Sequence, residues 1–161
     1  MRIESKYVTS DISNSLDLLA NKSTPEEQYK EAFYNLGREI GKVISFDFKE
    51  SLQSKKIALA CASEDADWLA KGILDVFINL NISLAVYWNS RFNINEEISI
   101  ASIEKSYIED INQSEILIIT KSIINTSCVV KTQLSNLIDK IEPQKILIAS
   151  PVMVKGAEEK L

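Results

Sequence analysis

Residues 116–130, ILIITKSIINTSCVV, hold the junction on which the fold assignment turns. Four apolar residues in a row at 116–119 are the pattern of a strand buried on both faces, and apolar residues at helical spacing resume after Val129. A tight polar turn, TKSIINTSC, must join the two. Strand–turn–helix junctions in open α/β sheets are where ligands gather. The carboxyl end of the strand opens into a crevice, and the following helix offers unpaired backbone N–H groups. This turn carries a lysine, Lys121, at its second position.

The same alternation runs outward in both directions. Upstream, KKIALACA (55–62) is a short apolar run ending at Ser63, and EDADWLAKGILDVFIN places Ala66, Leu69, Ala70, Ile73, Leu74 and Phe77 at helical spacing. ISLAVYW (82–88) reads as a second strand. A polar loop, NSRFNINEE, and a third apolar run, ISIASI (98–103), follow it. The fourth strand is EILIIT (115–120), and Val130, Leu134, Leu137, Ile138 and Ile141 mark the helix after it, which Pro143 ends. KILIAS (145–150) is a fifth strand, and PVMVKGAEEKL turns into a loop and a last helical turn.

Before all of these, STPEEQYKEAFYNLGREIGKVI opens with Ser23 or Thr24 as N-cap and Pro25 in the first turn, with Glu26 and Glu27 at the positive end of the helix dipole. Tyr29, Phe33, Leu36, Ile40 and Val43 form its apolar stripe, and Gly37 and Gly41 allow close packing. Residues 1–23 are polar and weakly patterned apart from Leu16, Leu18 and Leu19, so they receive no assignment. Continuous Ile/Leu/Val/Ala strands between amphipathic helices predict a three-layer α/β/α sandwich with a mainly parallel five-stranded sheet, as one domain over 1–161. Functional crevices are then expected at the carboxyl ends of strands one and four and in the loop after strand two.

Composition narrows the chemistry. A chain of 161 residues can bury the core of one domain, and 45% hydrophobic with 25% charged residues is the balance of a soluble globular protein. No apolar run approaches the roughly 20 residues that span a bilayer, and MRIESKYVTSD lacks the apolar core of a secretory signal, so a cytoplasmic location is expected. There is no histidine, which excludes imidazole chemistry, and Cys61 and Cys128 are too few for a disulfide framework or zinc site. A net charge of −5 argues against broad contact with nucleic acid.

The order of elements resembles that of the type I phosphoribosyltransferases over residues 24–161: a helix before the first strand, a loop between strands two and three, and a strand-four turn that cradles a phosphate. In that family strand four ends in two acids, two apolar residues, a small residue, Thr-Gly and a closing Thr. Laid on this chain, the acid pair falls at Thr120 and Lys121 and the phosphate turn at Asn125, Thr126, Ser127 and Cys128. In the family those acids are understood to hold the ribose hydroxyls of phosphoribosyl pyrophosphate and to support a cation-like transition state. A lysine in their place opposes such a cation. Two unit charges about 4 Å apart repel by roughly 4 kcal/mol at an effective dielectric of 20, about a thousandfold in rate.

The resemblance therefore implies a degenerate transferase acting as a nucleotide- or phosphate-binding or regulatory module in a multi-component bacterial system. Lys121, Asn125, Thr126 and Ser127 would hold the anion, with no metal needed. The commoner role for that turn is simple capping of the helix, with Lys121 solvated. Residues 62–65 hold the place of the family's pyrophosphate loop. Ser63, Glu64 and Asp65, with Asp67 behind, would repel pyrophosphate unless magnesium intervened; Ser63 as an N-cap with acids along the helix dipole is the plainer account. Ser90 and Arg91 fall in the family's flexible loop, where Arg91 either clamps a phosphate or is solvated. Tyr87 and Trp88 either stack on a base or belong to core or interface, and Cys128 is expected to be a small structural cysteine.

Two alternatives stay open. One is an active phosphoribosyltransferase or N-glycosidic-bond enzyme using the displaced acids Glu64, Asp65 or Asp67, with magnesium as its cofactor. The other is a structural subunit that binds a protein partner or a second copy through Trp88 and an uncovered sheet edge.

Overall fold

The computed structural model describes residues 3–93 and 99–161. It begins with α1 (Ser10–Ala20), a helix in the segment that sequence patterning leaves unassigned. Thr9 caps it, its Oγ1 accepting from the Ile12 N–H at 3.3 Å, and Leu16 packs on Leu36 and Leu69. The signal in the sequence is Ile12, Leu16 and Leu19 on one face, diluted by polar neighbours.

The long helix α2 (Glu26–Asp47) carries the expected stripe. Its start differs in detail, because the Thr24 hydroxyl donates back to the Leu18 carbonyl at 2.6 Å and no side chain caps α2. A single turn, α3 (Lys49–Leu52), leads into β1 (Lys56–Ala62). The segment after β1 is not one uninterrupted helix. It runs as α4 (Ser63–Asp65), a π-helical turn at Ala66–Ala70 and α5 (Lys71–Val76).

β2 (Asn81–Asn93) and β3 (Ser99–Ile108) come next, then β4 (Ile116–Thr120), the short β5 (Ile123–Ile124) and α6 (Cys128–Ile141). Glu142, in left-handed conformation, ends α6 just before Pro143. β6 (Lys145–Ala149), the short β7 (Val152–Met153) and a 3₁₀ turn at Glu158–Lys160 complete the chain.

The main sheet has the order β3-β2-β1-β4-β6. All neighbours are parallel except β2 and β3, which form an antiparallel hairpin. That corrects the expected polar loop at 89–97. Residues 89–93 belong to β2, with Ser90 opposite Ser102 and Arg91 opposite Ala101, and the remainder of that loop lies outside the described residues. The physical reason is length: a parallel crossover takes a dozen or more residues, and too few separate these two runs.

Side-chain alternation along β1 sets the two layers. Ile57, Leu59 and Cys61 point to the face covered by α2 and α5, while Ala58 and Ala60 point to the face covered by α6. Leu117, Ile119, Leu137 and Ile141 complete the α6 layer; Ile73, Phe77, Ile116 and Ile118 complete the other. Because the chain leaves β1 toward β2 on one side and returns to β4 on the other, the order reverses between β1 and β4, and a crevice opens at their carboxyl ends.

α2 lies on the π turn and α5 through bare backbone. A Cβ added to Gly37 would sit 2.1 Å from the Leu69 carbonyl oxygen, and one on Gly72 would sit 2.3 Å from that of Tyr34. Neither neighbour is a movable side-chain tip, so the helices must separate. Gly37→Ala is expected to destabilise the protein by about 2 to 3 kcal/mol, read from the midpoint of urea unfolding, despite alanine's better helix propensity.

Candidate functional site

The carboxyl ends of β1 and β4 place Asp65 and Lys121 against one another. β1 and β4 are neighbours in register, Cys61 beside Thr120, and each chain turns off the sheet within a few residues. Lys121 Nζ lies 2.7 Å from Asp65 Oδ2 and 3.1 Å from Glu64 Oε1, with Ser122 Oγ at 3.4 Å. The Asp65 side chain is wholly buried and that of Lys121 is 6% exposed. Lys121 is therefore neither solvated nor turned outward, which corrects the expectation of a solvent-facing lysine. Its charge is already answered by two carboxylates.

Glu64 forms the outer half of the arrangement. Burial pushes its carboxyl pKa up, but its own backbone N–H, Lys121 and the more distant Arg91 outweigh that and hold it below the usual carboxylate value. Asp65 Oδ1 and the Thr120 hydroxyl are buried and have no hydrogen-bond partner among the described residues. Ser63 is the first residue of α4 and makes no capping bond. Behind the cluster, burial first and then the negative Asp65 and Glu64 push the Cys61 thiol up to about 12.

The turn after β4 is held from the opposite side. Ser127 has a left-handed backbone, φ 61°, just before α6, and its hydroxyl donates to the Ala157 carbonyl at 2.9 Å instead of capping the helix. β5 within the turn pairs with β7, and Val154 N–H donates to the Ile124 carbonyl at 2.9 Å. Asn125 and Thr126 are exposed, and the Thr126 hydroxyl lies 3.0 Å from Cys128 Sγ. Arg91, Lys121 and residues 123–130 line a depression of about 10 Å³. That is room for about one water molecule in an open depression, so a larger anion would rest on its exposed rim at Asn125 and Thr126.

The arrangement thus brings together Lys121, Glu64 and Asp65, with Arg91 and the Asn125–Cys128 turn alongside. Tyr87 is buried and donates from its hydroxyl to Asn136 Oδ1 at 3.0 Å, which makes it core. Trp88 is half exposed under the Lys105 ammonium, 5.3 Å from its ring centre. What sequence reasoning misses is the pairing of Lys121 with the acids after β1. The available signal is that two adjacent parallel strands end in residues of opposite charge.

Comparison with solved structures places this fold. The AQ2163 protein of Aquifex aeolicus superposes on 99% of this chain and 80% of its own, with a TM-score of 0.78 at 15% identity. A Staphylococcus aureus hypoxanthine phosphoribosyltransferase matches 71% of this chain and 61% of its own, with a TM-score of 0.55 at 14% identity. A Bacillus anthracis hypoxanthine-guanine phosphoribosyltransferase matches 75% and 68%, with a TM-score of 0.55 at 13% identity. The chain spans about three fifths of the S. aureus enzyme's length. No family model and no curated protein sequence matches. The fold is that of the type I phosphoribosyltransferases. Among the described residues, no helix is long and apolar enough to cross a membrane.

Two measurements test the geometry. Lys121→Met strands Asp65 in the interior and is expected to cost about 3 to 5 kcal/mol in urea unfolding, whereas Lys121→Met with Asp65→Leu returns to within about 1 kcal/mol of the parent. In native protein at neutral pH, iodoacetamide is expected to modify Cys128 and spare Cys61, whose thiol is buried and held protonated, as peptide mass mapping will read.

Proposed function

We propose that this chain is a phosphoribosyltransferase-fold domain that has lost transferase chemistry and serves as a binding or regulatory module for a phosphorylated nucleotide or related anion. The observation that carries this reading is the buried contact of Lys121 with Asp65 and Glu64. At the position where the resemblance to the type I phosphoribosyltransferases implies carboxylates facing a sugar, this chain holds the Lys121 ammonium group. The nearby carboxylates, Glu64 and Asp65, are turned onto that ammonium. General acid–base work by Glu64 or Asp65 would first require breaking this contact, and for the buried Asp65 that leaves a charge without a partner.

The exposed polar edge of the turn, Asn125 and Thr126, together with the α6 N–H groups and Arg91, supports the anion-binding half of the reading. The named activity of the structural neighbours points to purine nucleotides and phosphoribosyl pyrophosphate as the compounds to try first. Bound anion would sit on the exposed edge of the turn against Arg91, away from the Glu64 carboxylate that would repel it, leaving the Lys121–Asp65 pair in place. No magnesium enters this scheme.

Incubation with phosphoribosyl pyrophosphate and hypoxanthine or guanine is expected to release no pyrophosphate above the uncatalysed rate, in a coupled phosphate assay. Titration calorimetry with the corresponding nucleoside monophosphates is expected to show binding that Arg91→Ala and Asn125→Ala each weaken about tenfold. Turnover comparable to that of a competent transferase overturns the loss of chemistry; absence of heat with every nucleotide overturns the binding role.

A further inference from the structure

We propose that residues 150–157 form a releasable strap over the β4–α6 turn, and that Ser127 changes its hydrogen-bond partner as the strap docks and leaves. Ser127 stands at the N-cap position of α6, where a serine oxygen ordinarily accepts from the second or third helical N–H, here that of Val129 or Val130. It makes no such bond. Its backbone is left-handed, φ 61° and ψ −2°, a conformation unfavourable to any residue with a Cβ, and its hydroxyl donates to the Ala157 carbonyl at 2.9 Å. A capping serine has an extended backbone, so the two uses of this hydroxyl exclude each other.

The strap is held lightly. β5 and β7 pair over two residues each, and one further bond runs from the Val154 N–H to the Ile124 carbonyl. Ser150 Oγ reaches the Ser122 carbonyl only at 3.4 Å. Val152, Met153 and Val154 are exposed, and Ala157 is the one buried residue among the described residues 152–161. Its methyl group lies in the α6 layer with Ile124 and Val130. Alanine is the smallest apolar anchor, so withdrawing it uncovers little surface. The Ala157 carbonyl also accepts from the Lys160 N–H at 3.2 Å, so release does not leave it unpaired. A segment with one buried side chain and a few backbone bonds opens at lower free energy than the sheet beneath it.

Gly156 sets the bend that turns Ala157 inward. Its φ is +83°, and a Cβ built on it meets nothing within 4 Å. Gly156→Ala therefore touches no neighbour and acts only by disfavouring the docked backbone. Ala157→Glu goes further, because docking would bury its charge.

One consequence rests on reading this turn as an anion site. A capping serine accepts through its oxygen while its proton stays free for a ligand, so release adds the Ser127 hydroxyl to Asn125 and Thr126. The docked strap is then an autoinhibitory contact. A ligand that uses Ser127 favours release, and loosening the strap tightens the ligand by the same linkage.

Hydrogen exchange on the full parent chain is expected to open the Val154 amide about tenfold or more faster than those of Leu117, Ile118 and Ile119 in β4. Gly156→Ala is expected to speed Val154 exchange about fivefold further. In Ala157→Glu the Val129 or Val130 amide is expected to slow as Ser127 caps it, and adding Ser127→Ala removes that slowing. Calorimetric titration with inosine monophosphate is expected to show about tenfold tighter binding to Ala157→Glu than to the parent, although the added carboxylate itself opposes an anion. A Val154 amide that exchanges only as slowly as β4 overturns the strap, and so do Val129 and Val130 amides that Ala157→Glu leaves unchanged or faster. Equal affinity in parent and variant overturns the autoinhibition. No heat from either chain overturns the anion reading, and the exchange pattern still decides the strap.

Discussion

An ammonium and a carboxylate 2.7 Å apart, both withdrawn from water, tie the end of β4 to the segment after β1. Burying either alone is expensive, and burying both is tolerable only when the contact is close and further polar groups share the charge. Here Glu64 and Ser122 share the ammonium, while one oxygen of Asp65 has no partner among the described residues. The two loops that bracket the crevice of this fold are therefore held to each other. The contact also fixes the local electrostatics, because one cation placed against two anions leaves a net charge of about −1 at the crevice, which Arg91 alongside offsets.

Much of the architecture is legible from residue order. The apolar runs that become β1, β2, β4 and β6 and the stripes of α2 and α6 come from periodicity alone, since a strand buried on both faces has no polar alternation to confuse it. α1 is harder, because one apolar face of three residues has little contrast against a polar background. The hairpin of β2 and β3 hides behind polar residues such as Asn89 and Ser90. Their strand conformation is imposed by pairing with Ser102 and Ile103 rather than by propensity.

The candidate site is less legible for a reason of distance. Asp65 and Lys121 are brought together by the adjacency of β1 and β4, and nothing near either residue in sequence signals the other. Each taken singly has a bland account, an acid in a first helical turn and a lysine in a polar turn. Only the strand order makes them partners. The same holds for Ser127, whose hydroxyl has an apparent local use at the start of α6 but is engaged by Ala157, thirty residues on.

That last link gives the carboxyl-terminal stretch a mechanical meaning. Through the β5–β7 pairing and the Ser127 contact, residues 152–157 brace the β4–α6 turn from outside the sheet. Displacing this stretch, whether by a ligand, a fused segment or a neighbouring molecule, removes the strut and frees the left-handed Ser127 to relax. Residues 152–157 are thus coupled to the crevice through Ile124 and Ser127.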